Sequence, residues 1–213
     1  MGPETGGRPR GTGSAGRVIA GRAAGRRLAG PGGGTRPLSD RAKEVLFGIL
    51  APELEGARVL DLFAGSGAAG IEALSRGASR VVFVDGSAAA CASIAANLRA
   101  TGLGGPGVEV RRRDVLAYLA TQAASDGPFD LVIVDPPYAE PALALAALER
   151  LGAGRIVAPG GRVVVRAFWR TELPGAVGLL RSDRERRVGE SRLRFYRCDA
   201  PPASGRSASE EGG

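Results

Sequence analysis

From residue 57 onward, short apolar runs alternate with stretches of helical period. ARVLDLFA (57–64) is followed by glycines and the amphipathic AAGIEALSR; RVVFVD (80–85) is followed by the alanine-rich SAAACASIAANLRA, which closes at Gly102. VEVRRRD precedes the short helical segment VLAYLATQ, and FDLVIVDPPY precedes PALALAALERL. GRVVVRAF makes a fifth strand after the turn Pro159-Gly160-Gly161. Runs that are apolar on both faces and alternate with helices predict an α/β fold with a parallel sheet covered on both sides. After Pro174 the pattern changes, and VGLLRSDRERRVGESRLRFYRC reads as two strands turning at Gly189, an antiparallel hairpin on the sheet edge. Seven strands are therefore expected.

Upstream of this alternation the pattern is weaker. Residues 17–37 combine a short apolar start, paired glycines and several arginines, which predicts a small basic arm ending in a flexible turn from Pro31 to Gly34. Ser39 or Asp40 then caps a helix with Val45, Leu46, Ile49 and Leu50 on its apolar stripe. Residues 1–16 and 200–213 have almost nothing to bury and are expected to be disordered tails around a folded domain at 38–199.

Composition narrows the chemistry. The 213 residues include no histidine, which removes imidazole-based catalysis and histidine-held metals; no metal site is expected. Cys91 and Cys198 are far apart and read as reduced thiols of a cytoplasmic protein. No apolar run is long enough for a membrane span. The net charge of +7 is segregated: residues 1–50 carry nine basic and three acidic residues, 51–161 carry nine and twelve, and 162–199 carry ten and five. Only Lys43 among the basic residues is a lysine. Arginine forks onto phosphate, so a polyanionic partner such as a nucleic acid fits best, with Arg17, Arg22, Arg26, Arg27, Arg36 and Arg41 as candidate phosphate contacts.

Candidate chemistry gathers at the carboxyl ends of the strands, where open α/β sheets bind ligands. Asp61, Asp85, Asp114 and Asp135 each stand at such an end. Gly65-Ser66-Gly67-Ala68-Ala69-Gly70 satisfies G-x-G-x-x-G between a strand and a helix, and Asp85 follows twenty residues after Gly65, in the place of a ribose-binding acid. A carboxylate at Asp61 would repel a pyrophosphate but would favour a ligand with a cationic amino-acid end. S-adenosylmethionine is therefore preferred over NAD, with Phe63, Ala64, Ser66 and Ser87 completing the loop region. Asp114 suits either an adenine amino group, with Val115 on the ring, or a helix cap.

Asp135-Pro136-Pro137-Tyr138 ends the fourth strand in a stiff turn. An exocyclic amino group on a base is a poor nucleophile because its lone pair is delocalised. The Asp135 carboxylate and the Pro136 carbonyl can hold its two hydrogens and aim the lone pair at a methyl donor, while Tyr138 stacks on an extruded base.

DLFAGSGAAGIEALSRGA, FVD and DPPY in this order resemble a class I amino-methyltransferase. RVIAGRAAGRRL, TRPLSDRAKEVLF and GESRLRFY narrow the resemblance to the bacterial RsmD family, over about Arg17 to Arg197. It implies a Rossmann-like fold, S-adenosylmethionine as cofactor and methylation of guanine N2 in 16S rRNA, free or in an assembling small-subunit particle, by a monomer. It also implies a cofactor site from Asp61 to Gly67 with Asp85 and Asp114, a base site at Asp135 to Tyr138, and a mouth bordered by Thr35 to Arg41. Leu38, Arg166 and Val188 depart from the expected pattern, in which threonine, glutamate and an aromatic are common. A DNA adenine or cytosine amino-methyltransferase, and a non-catalytic RNA-binding assembly factor, are the competing readings.

Overall fold

The structure, a computed structural model, describes residues 14–32, 38–121 and 123–201. An N-terminal arm pairs β1 (Ser14–Arg17) with β2 (Arg27–Ala29), antiparallel. The main body follows as α1 (Asp40–Leu50), β3 (Arg58–Leu62), α2 (Ala68–Ser75), β4 (Arg80–Asp85), α3 (Ala88–Thr101), β5 (Val108–Arg112), α4 (Val115–Thr121) and α5 (Ala123–Asp126). It continues with β6 (Phe129–Val134), α6 (Pro141–Gly152), β7 (Val157–Phe168), β8 (Ala176–Val177), β9 (Leu180–Val188) and β10 (Ser191–Cys198).

The large sheet has the order β5-β4-β3-β6-β7-β10-β9-β8. β3 through β7 are parallel, and β10 pairs antiparallel with both β7 and β9. The chain leaves β3 in one direction and returns to its other side as β6, so the switch point falls between these two strands. Their carboxyl ends carry Asp61 and Asp135, and this is where such sheets leave a crevice for ligands.

Two cores flank the sheet. One joins it to the arm, α1, α2 and α3 through Leu46, Phe47, Ile71, Phe83 and Ile94; the other joins it to α4 and α6 through Tyr118, Phe129, Leu148 and Tyr196. Burial on both faces explains why the parallel strands read as continuous apolar runs rather than alternations.

Three expectations need correction. The sheet has eight strands instead of seven, because Ala176–Val177 folds back on Leu180 and Arg181 around Gly178 to make the short β8. β7 starts before Pro159-Gly160-Gly161, and its pairing with β6 skips register there, from Phe129↔Val157 to Leu131↔Arg162. Residues 14–16, expected in a disordered tail, belong to β1; Ala15 packs in the core with no exposure. Residues 1–13 and 202–213 lie outside the described residues, as do 33–37, which include Arg36 and most of the Pro31–Gly34 turn.

Candidate active site

β3 delivers the chain into a tight loop. Phe63 has a positive φ of 58°, a conformation costly for a bulky residue, and Gly65 and Gly67 follow at 55° and 76°. Gly70 answers a different need: a Cβ there would lie 2.3 Å from the Phe83 ring, so its absence lets α2 press onto β4. The Gly70 N–H donates to Asp61 Oδ2 at 2.9 Å.

Asp61 is 1% exposed, and among the described residues it has no cationic partner. Burial pushes its pKa well above the usual carboxylate value, against the Gly70 hydrogen bond, and Asp135 and Asp85 nearby add to the rise. Asp85 Oδ2 accepts from Gly65 N–H and Oδ1 from Ser87 N–H, both at 2.8 Å. A carboxylate has about four acceptor positions, so these bonds orient Asp85 and leave it capacity for hydroxyls.

A cavity of about 630 Å³ opens over these residues, within the range of small-molecule sites. Phe63, Ala64, Gly65, Ser66, Asp61, Asp85 and Ser87 line one side; Asp135, Pro136, Pro137, Tyr138 and Arg166 line the other. Pro31, Gly32 and Leu38 reach it from the arm and the segment before α1. Its donor half fits S-adenosylmethionine by chemistry: a buried carboxylate lacking a countercharge suits a cation, and the oriented Asp85 suits ribose hydroxyls.

Gly67, Asp114 and Val115 do not reach the cavity wall. Gly67 is the left-handed residue that starts α2. Asp114 Oδ1 accepts from Ala117 N–H at 2.8 Å and caps α4. Val115 is 3% exposed and sits in the core under α4, where it cannot cover a ring as it stands.

The target half contains an ion pair that sequence reasoning placed on no role. Arg166, 8% exposed on β7, donates from Nε to Asp135 Oδ1 and from Nη1 to Tyr138 Oη at 3.0 Å. Its guanidinium carbon stands 4.9 Å from the Tyr138 ring centre, and Tyr138 Oη shares a 2.6 Å hydrogen bond with Ser191 Oγ. Burial raises the Asp135 pKa, and the Arg166 charge and hydrogen bond pull against that rise. Burial would lower Arg166, but Asp135 and Tyr138 more than offset it and hold it charged. The DPPY corner is thus braced from β7 and β10. The in-register neighbours Val134↔Val165 mark Arg166 as adjacent to Asp135, a signal available once the strand order is known.

The arm docks beside the glycine loop. Ile19 and Ala20 N–H donate to the fully buried Glu72 carboxylate at 2.7 and 3.1 Å, and Ala23 N–H to Ser75 Oγ at 2.9 Å. Asn97 accepts from Ala29 N–H at 2.9 Å and donates to Ser66 O at 2.9 Å, linking β2, α3 and the loop. Gly21 (φ 84°) runs so close that a Cβ would lie 1.9 Å from Ser75 O. Lys43, with no exposure, donates to Arg17 O and pairs with Asp40 at 3.1 Å. Of the candidate RNA contacts, Arg17 pairs with Asp40 at 3.4 Å and Arg22 binds Leu74 O at 3.2 Å. Arg26, Arg27 and Arg41 are exposed, with no carboxylate partner among the described residues.

The chain is 37% identical over 182 residues to "Putative rRNA methyltransferase YlbH" of Bacillus subtilis, covering 85% of this chain and 98% of that one. It is 36% identical to "Ribosomal RNA small subunit methyltransferase D" of Escherichia coli over 57% of this chain and 60% of that one. Among solved structures, "Putative methyltransferase yhhF from Escherichia coli" superposes with a TM-score of 0.73 at 32% identity, covering 87% of this chain and 98% of that one. With the family model "Conserved hypothetical protein 95" matching residues 16–197, the fold is that of a class I methyltransferase and the chain belongs to this family, the RsmD family.

Proposed function

We propose that this chain transfers the methyl group of S-adenosylmethionine to the exocyclic N2 of a guanine in 16S rRNA. The observation that carries the reading is the single cavity in which the donor half, with Asp61 and Asp85, faces the Asp135–Tyr138 corner. The names of the two curated relatives support rRNA as the substrate class; guanine N2 follows from the RsmD resemblance. Arg26, Arg27 and Arg41 are proposed to hold phosphates, which positions RNA without reading its sequence.

The donor supplies a methyl group activated by a sulfonium. Asp61 would hold its cationic amino-acid end and Asp85 its ribose, and the loop from Phe63 to Gly67 would allow close backbone approach. Asp135 and the Pro136 carbonyl accept the two amino hydrogens and direct the nitrogen lone pair at the methyl, and Tyr138 stacks on the base. The accepting nitrogen would gain positive charge as the methyl passes to it and the thioether leaves, so both acceptors would strengthen in the transition state. The nitrogen then loses a proton; Asp135, its proton affinity raised by burial, stands beside it to pass that proton to water.

Nucleoside analysis of rRNA from a strain lacking the protein tests the reading. One N2-methylguanosine should vanish and return with the wild-type chain, but not with Asp135→Ala, whose S-adenosylmethionine binding by calorimetry should survive. Retained turnover in that variant, or methyl transfer to DNA and not RNA, overturns it.

A further inference from the structure

The ten aromatic side chains divide by location. Phe47, Phe83, Tyr118, Phe129, Phe195 and Tyr196 have no exposure and build the two cores. The other four, Phe63, Tyr138, Phe168 and Trp169, are all half-buried, and all lie at the carboxyl end of the parallel sheet. Phe63 faces the donor half of the cavity. The remaining three form a chain of neighbours leading away from it. Tyr138 and Phe168 have ring centres 6.2 Å apart, Phe168 and Trp169 6.0 Å. Beyond them the guanidinium carbon of Arg187 lies 4.1 Å, and that of Arg170 4.6 Å, from the Trp169 ring centre.

The arginines from β7 to β10 fall into two groups. Arg162, Arg166, Arg181, Arg192, Arg194 and Arg197 each pair with a carboxylate, so their charge is spent within the fold. Arg170, Arg184, Arg186 and Arg187 are exposed and pair with no carboxylate among the described residues. Glu185, the acid between them on β9, is occupied by Arg192 and Arg194 at 3.3 and 3.5 Å. An exposed cation–π contact contributes only about 0.5–1 kcal/mol, too little to account for keeping a tryptophan out of the core.

We infer that the rim running from Tyr138 through Phe168 and Trp169 to Arg170 and Arg187 is a second RNA-binding surface, a track for single-stranded nucleotides adjoining the target base. The inference rests on the RNA reading above and goes beyond it, since it adds the C-terminal hairpin to the interface. Rings, and the guanidinium planes laid over them, offer each unpaired base a flat face whatever its identity, and guanidiniums without a carboxylate partner offer the phosphates between them a countercharge. The rim begins at Tyr138, so a strand laid along it already has its end at the cavity.

Trp169 is the chain's sole tryptophan, so its emission reports on this surface alone. A single-stranded RNA oligomer containing guanine should quench it, whereas heparin and poly-glutamate, charged but without bases, should not. Trp169→Ala should raise KM for RNA by about 5- to 150-fold, with kcat and S-adenosylmethionine affinity held. Trp169→Phe, which keeps a ring, should recover most of the loss. Arg170→Gln with Arg187→Gln should flatten the slope of log affinity against log salt by about 1.4.

Unchanged emission with RNA, equal quenching by poly-glutamate, or an unchanged KM in Trp169→Ala overturns the track. The two readings fail separately. If wild-type protein methylates RNA while its emission stays constant, the track is wrong and the reaction stands; if RNA quenches Trp169 and receives no methyl, the reaction is wrong and the track stands.

Discussion

Two carboxylates sit at the ends of adjacent strands and open into one cavity, yet they are treated in opposite ways. Asp61 on β3 is buried with one backbone hydrogen bond and no cation beside it among the described residues, whereas Asp135 after β6 is half-buried and paired with Arg166. An unpaired buried carboxylate is costly and is retained where a ligand completes it; a paired one is held in a set orientation by its partner. The Asp61 half of the cavity is therefore electrostatically open. The target half is closed by an internal charge, which leaves Asp135 to act through its position.

The contrast can be broken most severely at Arg166. Arg166→Met leaves Asp135 without a countercharge and should cost about 3–5 kcal/mol in a urea unfolding experiment. A loss below about 1 kcal/mol would mean that the pair braces nothing. Next, Asp135→Asn should slow single-turnover methyl transfer by about 10²–10³-fold while calorimetry still detects the donor; the same variant tests orientation, since the amide keeps the shape and loses the charge.

Asp61→Asn should weaken donor binding roughly ten- to hundred-fold, the worth of a charged hydrogen bond. Its effect on stability should run the other way. Because folding raises the Asp61 pKa, ionising it opposes folding: the penalty is absent below the ordinary carboxylate range and grows as pH rises through that range toward the raised value. The variant should accordingly equal wild type in stability near pH 3 and exceed it near pH 7, and equal stability at both would deny that burial strains this group. The smallest effect is expected at Asp114. Asp114→Ala should cost about 1 kcal/mol of stability as a lost helix cap, with donor affinity unchanged in calorimetry.

What could be read from the chain was what local rules govern. The apolar runs marked β3 to β7, Ser39 and Gly102 marked helix ends, and Asp61, Gly65, Asp85 and Asp135 announced the cavity because strand ends and glycine turns have signatures over a few residues. Asp114 and Val115 were legible as a strand–helix junction, but their aim was not. Val115 turned into the core because α4 needs an apolar residue there. The contacts that escaped join distant segments: Glu72 and Ser75 gripping the arm, Asn97 bridging it to the loop, and Arg166 and Ser191 bracing Tyr138. A glutamate on an amphipathic helix and an arginine in a strand carry no local mark of such partners. Arg166 was conspicuous as a departure from the family pattern, and only the strand order revealed that it faces Asp135.

The burial of Lys43 has a consequence for handling the molecule. As the chain's sole lysine, with no exposure, it leaves the folded surface without a side-chain amine. Amine-directed acylating reagents should find only the α-amino group, so a one-dye label is available without mutagenesis. The surface positive charge is all guanidinium, which stays protonated in mild alkali where a lysine-rich surface would begin to discharge.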